Sequence, residues 1–230
     1  MLLALSPLIW FAVFGVAGAA GLGAWWFSPY QKTLRALRAA PRVRVADAQE
    51  GQLVRIVGTL RAHEETLVSP LAARTCAHFE VLVEERVKRG KNSSWRTLFR
   101  EHDSRDFVVE DESGRAIVET GGLVVALVQD HHQRSGTFED ATPELEALLA
   151  RNGHASTGVF GMNRTLRYRE GVLEPGEQVS VLGWAHWEDD PEGERDLSAA
   201  AYRTATRKKR LVLQPSAESP VRASDDPKAL

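Results

Sequence analysis

The hydrophobic pattern divides the chain sharply near residue 30. Leu2–Phe27 reads LLALSPLIWFAVFGVAGAAGLGAWWF without a charge, and the first charged side chain after it is Lys32. A helix crossing the hydrocarbon core of a bilayer needs about 20 apolar residues. The pattern therefore predicts one transmembrane anchor over residues 1–30. Ser6 and Pro7 fall in the first turns, where a missing amide costs little, and Trp25, Trp26 and Tyr30 cluster where a membrane interface favours aromatic rings. A cleaved signal peptide is the competing reading, because Val16–Ala20 offers small residues. Against it, no positive segment precedes the apolar run, which continues through Trp26.

Lys32, Arg35 and Arg38 follow at once, spaced by Thr33, Leu34, Ala36, Leu37 and Ala39. This spacing predicts a basic juxtamembrane helix over 31–42 that continues the span, lies along the lipid headgroups and is stopped by Pro41. Basic residues C-terminal to the span place the soluble domain in the cytoplasm by the positive-inside rule.

From Val43 the period changes from helical to alternating. Gln52–Gly58, His78–Val87, Trp95–Phe99, Phe107–Glu110, Ala116–Glu119, Gln178–Trp187 and Arg210–Gln214 read as strands. Gly90–Ser94 reads as a hairpin tip, and Asp111-Glu-Ser-Gly114 as a turn with a left-handed glycine. One helix interrupts, with Thr142 as N-cap, Pro143 at its first position, Leu145, Leu148 and Leu149 on one face, and Gly153 closing it. The segments Gly51-Gln-Leu-Val-Arg-Ile-Val-Gly58 and Gly176-Glu-Gln-Val-Ser-Val-Leu-Gly183 echo one another. Each offers a turn, an alternating strand and a glycine exit. The expected fold is mainly β (α+β): an anchor, then a small barrel or sandwich over 43–214 with one or two short helices, an OB-like barrel among the candidates. Residues 215–230, polar with Pro and Ser, are expected to form a flexible tail.

Charge and composition narrow the functions. A net charge of -2 over 230 residues supplies no global basic field to draw in nucleic acid. The single cysteine, Cys76, excludes an intrachain disulfide and a Cys-rich zinc module. Asp130-His131-His132 is the best metal-like cluster, but adjacent strand residues face opposite ways, and a solvated loop is the simpler reading. No G-x-S-x-G, Walker or dinucleotide-binding pattern is present. Cys76 and His78 share the spacing of a thiol and its base, without an obvious third group; a semi-buried structural cysteine is the competing reading. Acidic stretches at 139–146 and 188–196 read as solvated loops, and Arg207–Arg210 as a charged edge strand. No cofactor and no metal are expected, and no nucleic-acid partner.

The stretch Gly58-Thr-Leu-Arg61, Leu67-Val-Ser69-Pro70-Leu-Ala, Cys76-Ala-His-Phe79, Trp95 and Phe107-Val-Val-Glu-Asp111-Glu-Ser-Gly114 resembles the GIDE ("beside a membrane") domain. Further on, Arg167-Tyr-Arg-Glu170-Gly-Val-Leu-Glu-Pro-Gly176-Glu-Gln-Val-Ser-Val-Leu-Gly183 resembles the same domain's later segment. Ala73 stands where the family has glycine, and His78 where tyrosine is common. GIDE domains occur in MULAN-type mitochondrial RING ubiquitin ligases and in bacterial membrane proteins. In the ligases the domain lies between two spans, facing the intermembrane space, and a C-terminal RING transfers ubiquitin. With one cysteine here, ligase activity is not carried over. The resemblance implies a membrane-associated, non-catalytic module for binding a protein or lipid, with Ser69, Pro70, Cys76, Phe79, Asp111, Gly114, Glu170, Gly176 and Gly183 as family positions. A thiol or hydrolytic enzyme using Cys76 is the alternative. The family's intermembrane-space precedent opposes the cytoplasmic placement that charge suggests.

Overall fold

The computed structural model describes residues 28–90, 92–128, 131–135, 142–156, 164–190 and 209–230. The apolar stretch Leu2–Phe27 lies outside them, and no helix among the described residues is long and apolar enough to cross a membrane.

The expected β-rich domain is present, and its centre is a closed barrel. Five strands form it: β1 (Leu53–Ala62), β6 (Phe107–Asp111), β7 (Gly114–Val118), β11 (Gln178–Asp189) and β12 (Lys209–Gln214). Around the barrel they run β1-β6-β7-β12-β11 and back to β1. All pairs are antiparallel except β7 with β12. Closure removes the open edges that would otherwise invite aggregation. The interior takes alternate residues from each strand: Val54, Ile56, Leu60, Phe107, Val109, Ala116, Val118, Val179, Val181, Leu211 and Leu213, each with no accessible surface.

The two echoing segments pair with each other. β1 and β11 are antiparallel neighbours in a register that sets Val54 against Gly183 and Gly58 against Val179. Neither glycine is an exit, as the sequence reading had it; both sit inside their strands, at points of close approach. A Cβ on Gly58 would stand 2.3 Å from the Glu110 carbonyl oxygen, because here β1 leaves β11 and turns onto β6. On Gly183 it would stand 3.0 Å from the Cβ of Leu213.

A second sheet is inserted between barrel strands. β4 (His78–Arg89) and β5 (Asn92–Ser104) form a long hairpin turned at Gly90, whose φ is 60°. β10 (Leu166–Leu173) and β9 (His131–Ser135) extend the sheet in the order β5-β4-β10-β9. The predicted helix is α2 (Pro143–Arg151), capped by the Thr142 side chain and kept straight at its start by Pro143. Its Leu145, Leu148 and Leu149 bury against Phe79, Val81, Val83, Leu166, Tyr168 and Val172 of the sheet. His131 and His132 are strand residues and not loop residues, opposite Glu170 and Arg169 of β10.

Three further expectations are corrected. Helix α1 (Pro29–Ala39) has an N-terminus of its own: Ser28 has extended backbone (ψ 148°) and its hydroxyl accepts the Gln31 N–H, so no helix continues through Ser28. Its Leu34 and Leu37 are buried with Leu182, Ala126 and Ala229, so the apolar stripe faces the barrel and not a headgroup layer. Burial of two leucines is worth about 3–6 kcal/mol. Residues 215–230 are not a loose tail: β13 (Arg222–Ser224) pairs with β11 and with β8 (Val124–Ala126), and a 3-10 turn at Pro227–Ala229 packs on α1. Finally, β12 is no edge strand. It lies between β7 and β11, and Arg210 of the basic run bonds Glu188 at 2.6 Å.

Candidate functional site

The family positions fall at four places, each with a local structural reason. The first is a clamp. Leu67-Val68 (β2) pairs with Thr75-Cys76 (β3), and the connecting loop folds over β10. Glu170 has no accessible surface. The Ser69 hydroxyl donates to its Oε2 at 3.0 Å, the Ala72 N–H to the same oxygen at 3.0 Å, and the Leu71 N–H to Oε1 at 2.9 Å. Ser69 Oγ in turn accepts the Arg74 N–H at 3.1 Å. A buried carboxylate needs either a cation or a full set of donors; here loop amides and a hydroxyl supply them. Pro70 lies between the donors, fixing φ where the loop turns. Ala73, the departure from glycine, is held at φ 53°.

Cys76 and Phe79 belong to the core beneath that clamp. The thiol is fully buried, and burial followed by the Glu170 charge pushes its pKa up to about 11. His78 does not serve as its base. A bend at Ala77 separates β3 from β4, and His78 Nδ1 is engaged with Ser104 Oγ at 2.8 Å. Burial, then the neighbouring His102, lowers the imidazole pKa to about 4.

At the β6–β7 hairpin, Asp111 Oδ1 accepts the N–H groups of Ser113 and Gly114 and the Ser113 hydroxyl, while Oδ2 accepts Val45 N–H at 2.9 Å. Burial alone would raise its pKa, but these donors outweigh it and hold the carboxyl below the usual range. Gly114 is not left-handed, as the sequence reading expected; its Cβ position is 3.1 Å from Val45 Cγ1, so the glycine admits the 3-10 turn at Val45–Asp47. Gly176 (φ 101°) makes the remaining turn, and its N–H donates to Leu60 O at 2.8 Å.

Thus Ser69, Pro70 and Glu170 come together, with Cys76 and Phe79 packed below, whereas Asp111 and Gly114, Gly176 and Gly183 each tie down a different part of the barrel. Of the metal-like cluster, His131 and His132 lie on β9, and Asp130 lies outside the described residues. Among the described residues no three His, Cys, Asp or Glu side chains stand as a metal site. A surface cavity of about 380 Å³ beside β1 is lined by Arg42, Arg44, Thr59, Arg61, Glu110 and Gln178. Within the lining Arg61 pairs with Glu110 at 2.8 Å, and Arg44 pairs with Asp47 outside it at 2.7 Å.

A basic hairpin that the total charge conceals stands at the far end of the inserted sheet. From Arg86 to Arg100 the chain carries six cations and no acid. Beside this hairpin, Arg167 lies 4.3 Å over the Trp95 ring and pairs with Glu84 at 2.6 Å. Counting charge in a 15-residue window would have found it.

The molecule is thus a closed barrel with an inserted sheet, whose family positions hold loops and turns in place. A family model for GIDE, described as E3 ubiquitin ligase, matches residues 78–201, just over half of the chain; the chain belongs to the GIDE family. No curated protein and no solved structure matches it.

Proposed function

We propose that this chain is a membrane-tethered, non-catalytic interaction module, its barrel of OB type held on the cytoplasmic side by the apolar segment 1–30 and recruiting a protein or lipid partner. The observation that carries the reading is the Glu170 clamp. The most distinctive family residues consume their polar groups on one another, Ser69 and two loop amides on a carboxylate with no accessible surface, and leave none presented to a substrate. The buried Cys76 thiol, displaced toward alkaline pH, argues against a thiol nucleophile. These 230 residues, with one cysteine, do not themselves carry the zinc-ligating set of a RING. The barrel order 1-2-3-5-4, counted along its five strands with the third and fifth parallel, supports the OB reading. The uncharged stretch Leu2–Phe27 and the basic residues after it support the anchor and its orientation.

The test is photo-crosslinking of the full chain in intact cells, combined with alkaline carbonate extraction and protease accessibility. Retention in the membrane fraction, a domain shielded from external protease and discrete crosslinked partners are expected. Release into the soluble fraction would remove the anchor. Catalytic turnover abolished by Cys76→Ala would replace the module with an enzyme.

A further inference from the structure

The proposed interaction role leaves open which surface binds and what chemistry binds there. We propose that the outer edge of β5 is a docking edge for an extended acidic polypeptide segment, which adds to the inserted sheet as a fifth strand.

Two independent observations meet at this edge. The first is backbone. β5 runs for 13 residues, Asn92–Ser104, and pairs with β4 on one side; among the described residues no strand pairs with its other side. An edge of that length presents a repeating row of N–H and C=O groups. An extended polypeptide matches that row group for group, with both donors and acceptors at strand spacing. A lipid headgroup layer or a nucleic-acid backbone has no such ladder.

The second is charge. Arg86, Lys88, Arg89, Lys91, Arg96 and Arg100 are concentrated on this hairpin in a chain whose net charge is -2. Some of that charge is answered within the sheet: Arg96 pairs with Glu85 at 2.8 Å, Arg100 with Glu80 at 3.4 Å, Arg164 with Glu85 at 3.2 Å, and Arg167 and Arg169 with Glu84. The far end of β5 carries Glu101 and Asp103, so the cation excess lies toward the hairpin tip. Lys88 is exposed and, among the described residues, has no carboxylate partner, while Arg86 directs its guanidinium to the Ser93 hydroxyl at 2.9 Å. The same cations that invite an acidic strand repel a second copy of this hairpin, since edge-to-edge pairing would set like charges together. An open edge guarded in this way is selective for the sign of its partner.

The reading rests on the interaction role proposed above, and its test separates the two. The full chain is reconstituted in zwitterionic nanodiscs and titrated with an alternating Glu-Val decapeptide, with its fully N-methylated form, with an oligothymidylate and with anionic nanodiscs. Amide hydrogen exchange is followed across residues 92–104. We expect the plain peptide to bind and slow exchange of those amides. The N-methylated peptide, equal in charge but unable to donate, should bind at least tenfold more weakly, and Lys88→Glu should weaken the plain peptide several-fold while Lys88→Gln weakens it less.

Equal binding of the methylated peptide would overturn strand addition, as would exchange in β5 that is already slow in the free protein, or protection confined to other strands. Tighter, β5-protecting binding by the oligothymidylate or the anionic nanodisc would overturn the peptide assignment. Should β5 stay silent while cellular crosslinks map to the barrel, the edge proposal fails and the interaction role stands.

Discussion

Ser69 and Glu170 lie 101 positions apart, and the hydroxyl of one donates to the carboxylate of the other at 3.0 Å in the protein interior. That bond fastens the β2–β3 loop to the inserted sheet. Glu170→Gln keeps the size but turns an acceptor-only group into one that also presents N–H donors toward the loop amides. We expect a loss of about 2–4 kcal/mol, in the range for an unsatisfied buried charged-group network. Ser69→Ala, which removes one donor and the acceptor for Arg74 N–H, should cost about 1–2 kcal/mol. Urea unfolding of both variants measures this, and a change below a few tenths of a kcal/mol for Glu170→Gln would remove the clamp from the account.

The neighbouring Ala73 offers a test of opposite sign. Its φ of 53° is a left-handed conformation that an L side chain adopts at a cost, while the loop around it is pinned by Glu170. Ala73→Gly relieves that cost but gives the unfolded chain more freedom, so the net gain should be modest, up to about 1 kcal/mol. A raised thermal midpoint is the expected result; a lowered one would show that the loop is not held in this conformation.

Gly58 tests barrel closure. An added Cβ would meet the Glu110 carbonyl oxygen at 2.3 Å, and a backbone carbonyl in a closed barrel has nowhere to retreat. Gly58→Ala should cost about 3 kcal/mol or more, or prevent folding. Gly121→Ala serves as the control, since nothing lies within 4 Å of that Cβ and its φ is not left-handed. Comparable effects from the two substitutions would mean that β1 and β6 do not approach as described.

His78 makes stability depend on pH. Its pKa falls from 6.5 in the unfolded chain to about 4 in the folded one, chiefly through burial and then through His102. The unfolded state therefore binds the proton more readily. No penalty applies above pH 6.5; as pH falls from there through about 4 stability is lost, and the loss reaches about 3 kcal/mol at pH 4. Because carboxylates titrate in the same window, the informative quantity is the difference between the native chain and His78→Phe. That difference should widen in favour of the variant between pH 6.5 and pH 4; a constant difference would place His78 in a solvated site.

Much of the fold was legible because it rests on local pattern. The strands around Val54, Val81, Val109 and Val181 alternate, and Thr142-Pro143 announces α2. The echo between residues 51–58 and 176–183 was legible as two similar strands, but their direct pairing depends on contacts more than 100 positions apart, which no local period encodes. The same limit hid the ordered C-terminal segment. Arg222–Ser224 has little intrinsic strand character, and becomes a strand because β11 and β8 offer it partners on both sides. The amphipathic α1 fitted a headgroup layer as well as a barrel wall, since an apolar stripe does not say what covers it. At the clamp, the residues were recognisable by family resemblance, but the burial of Glu170 and the identity of its donors are matters of three-dimensional packing. The basic hairpin was present in the sequence and masked by a near-neutral total charge.

The restart of the chain at Ser28 has a mechanical consequence. Downstream of that residue, α1 is fastened to the C-terminal segment at both ends: Tyr30 donates to Asp226, Arg38 Nε donates to Lys228 O at 2.8 Å, and Leu34 and Leu37 between them are sealed against Leu182 of the barrel. Helix and C-terminal segment are thus held as one piece from Ser28 onward. A pull on Ser28 is delivered through α1 to the barrel wall at Leu182 and to the last turn of the chain at once, so the two ends of the described protein share a single load path.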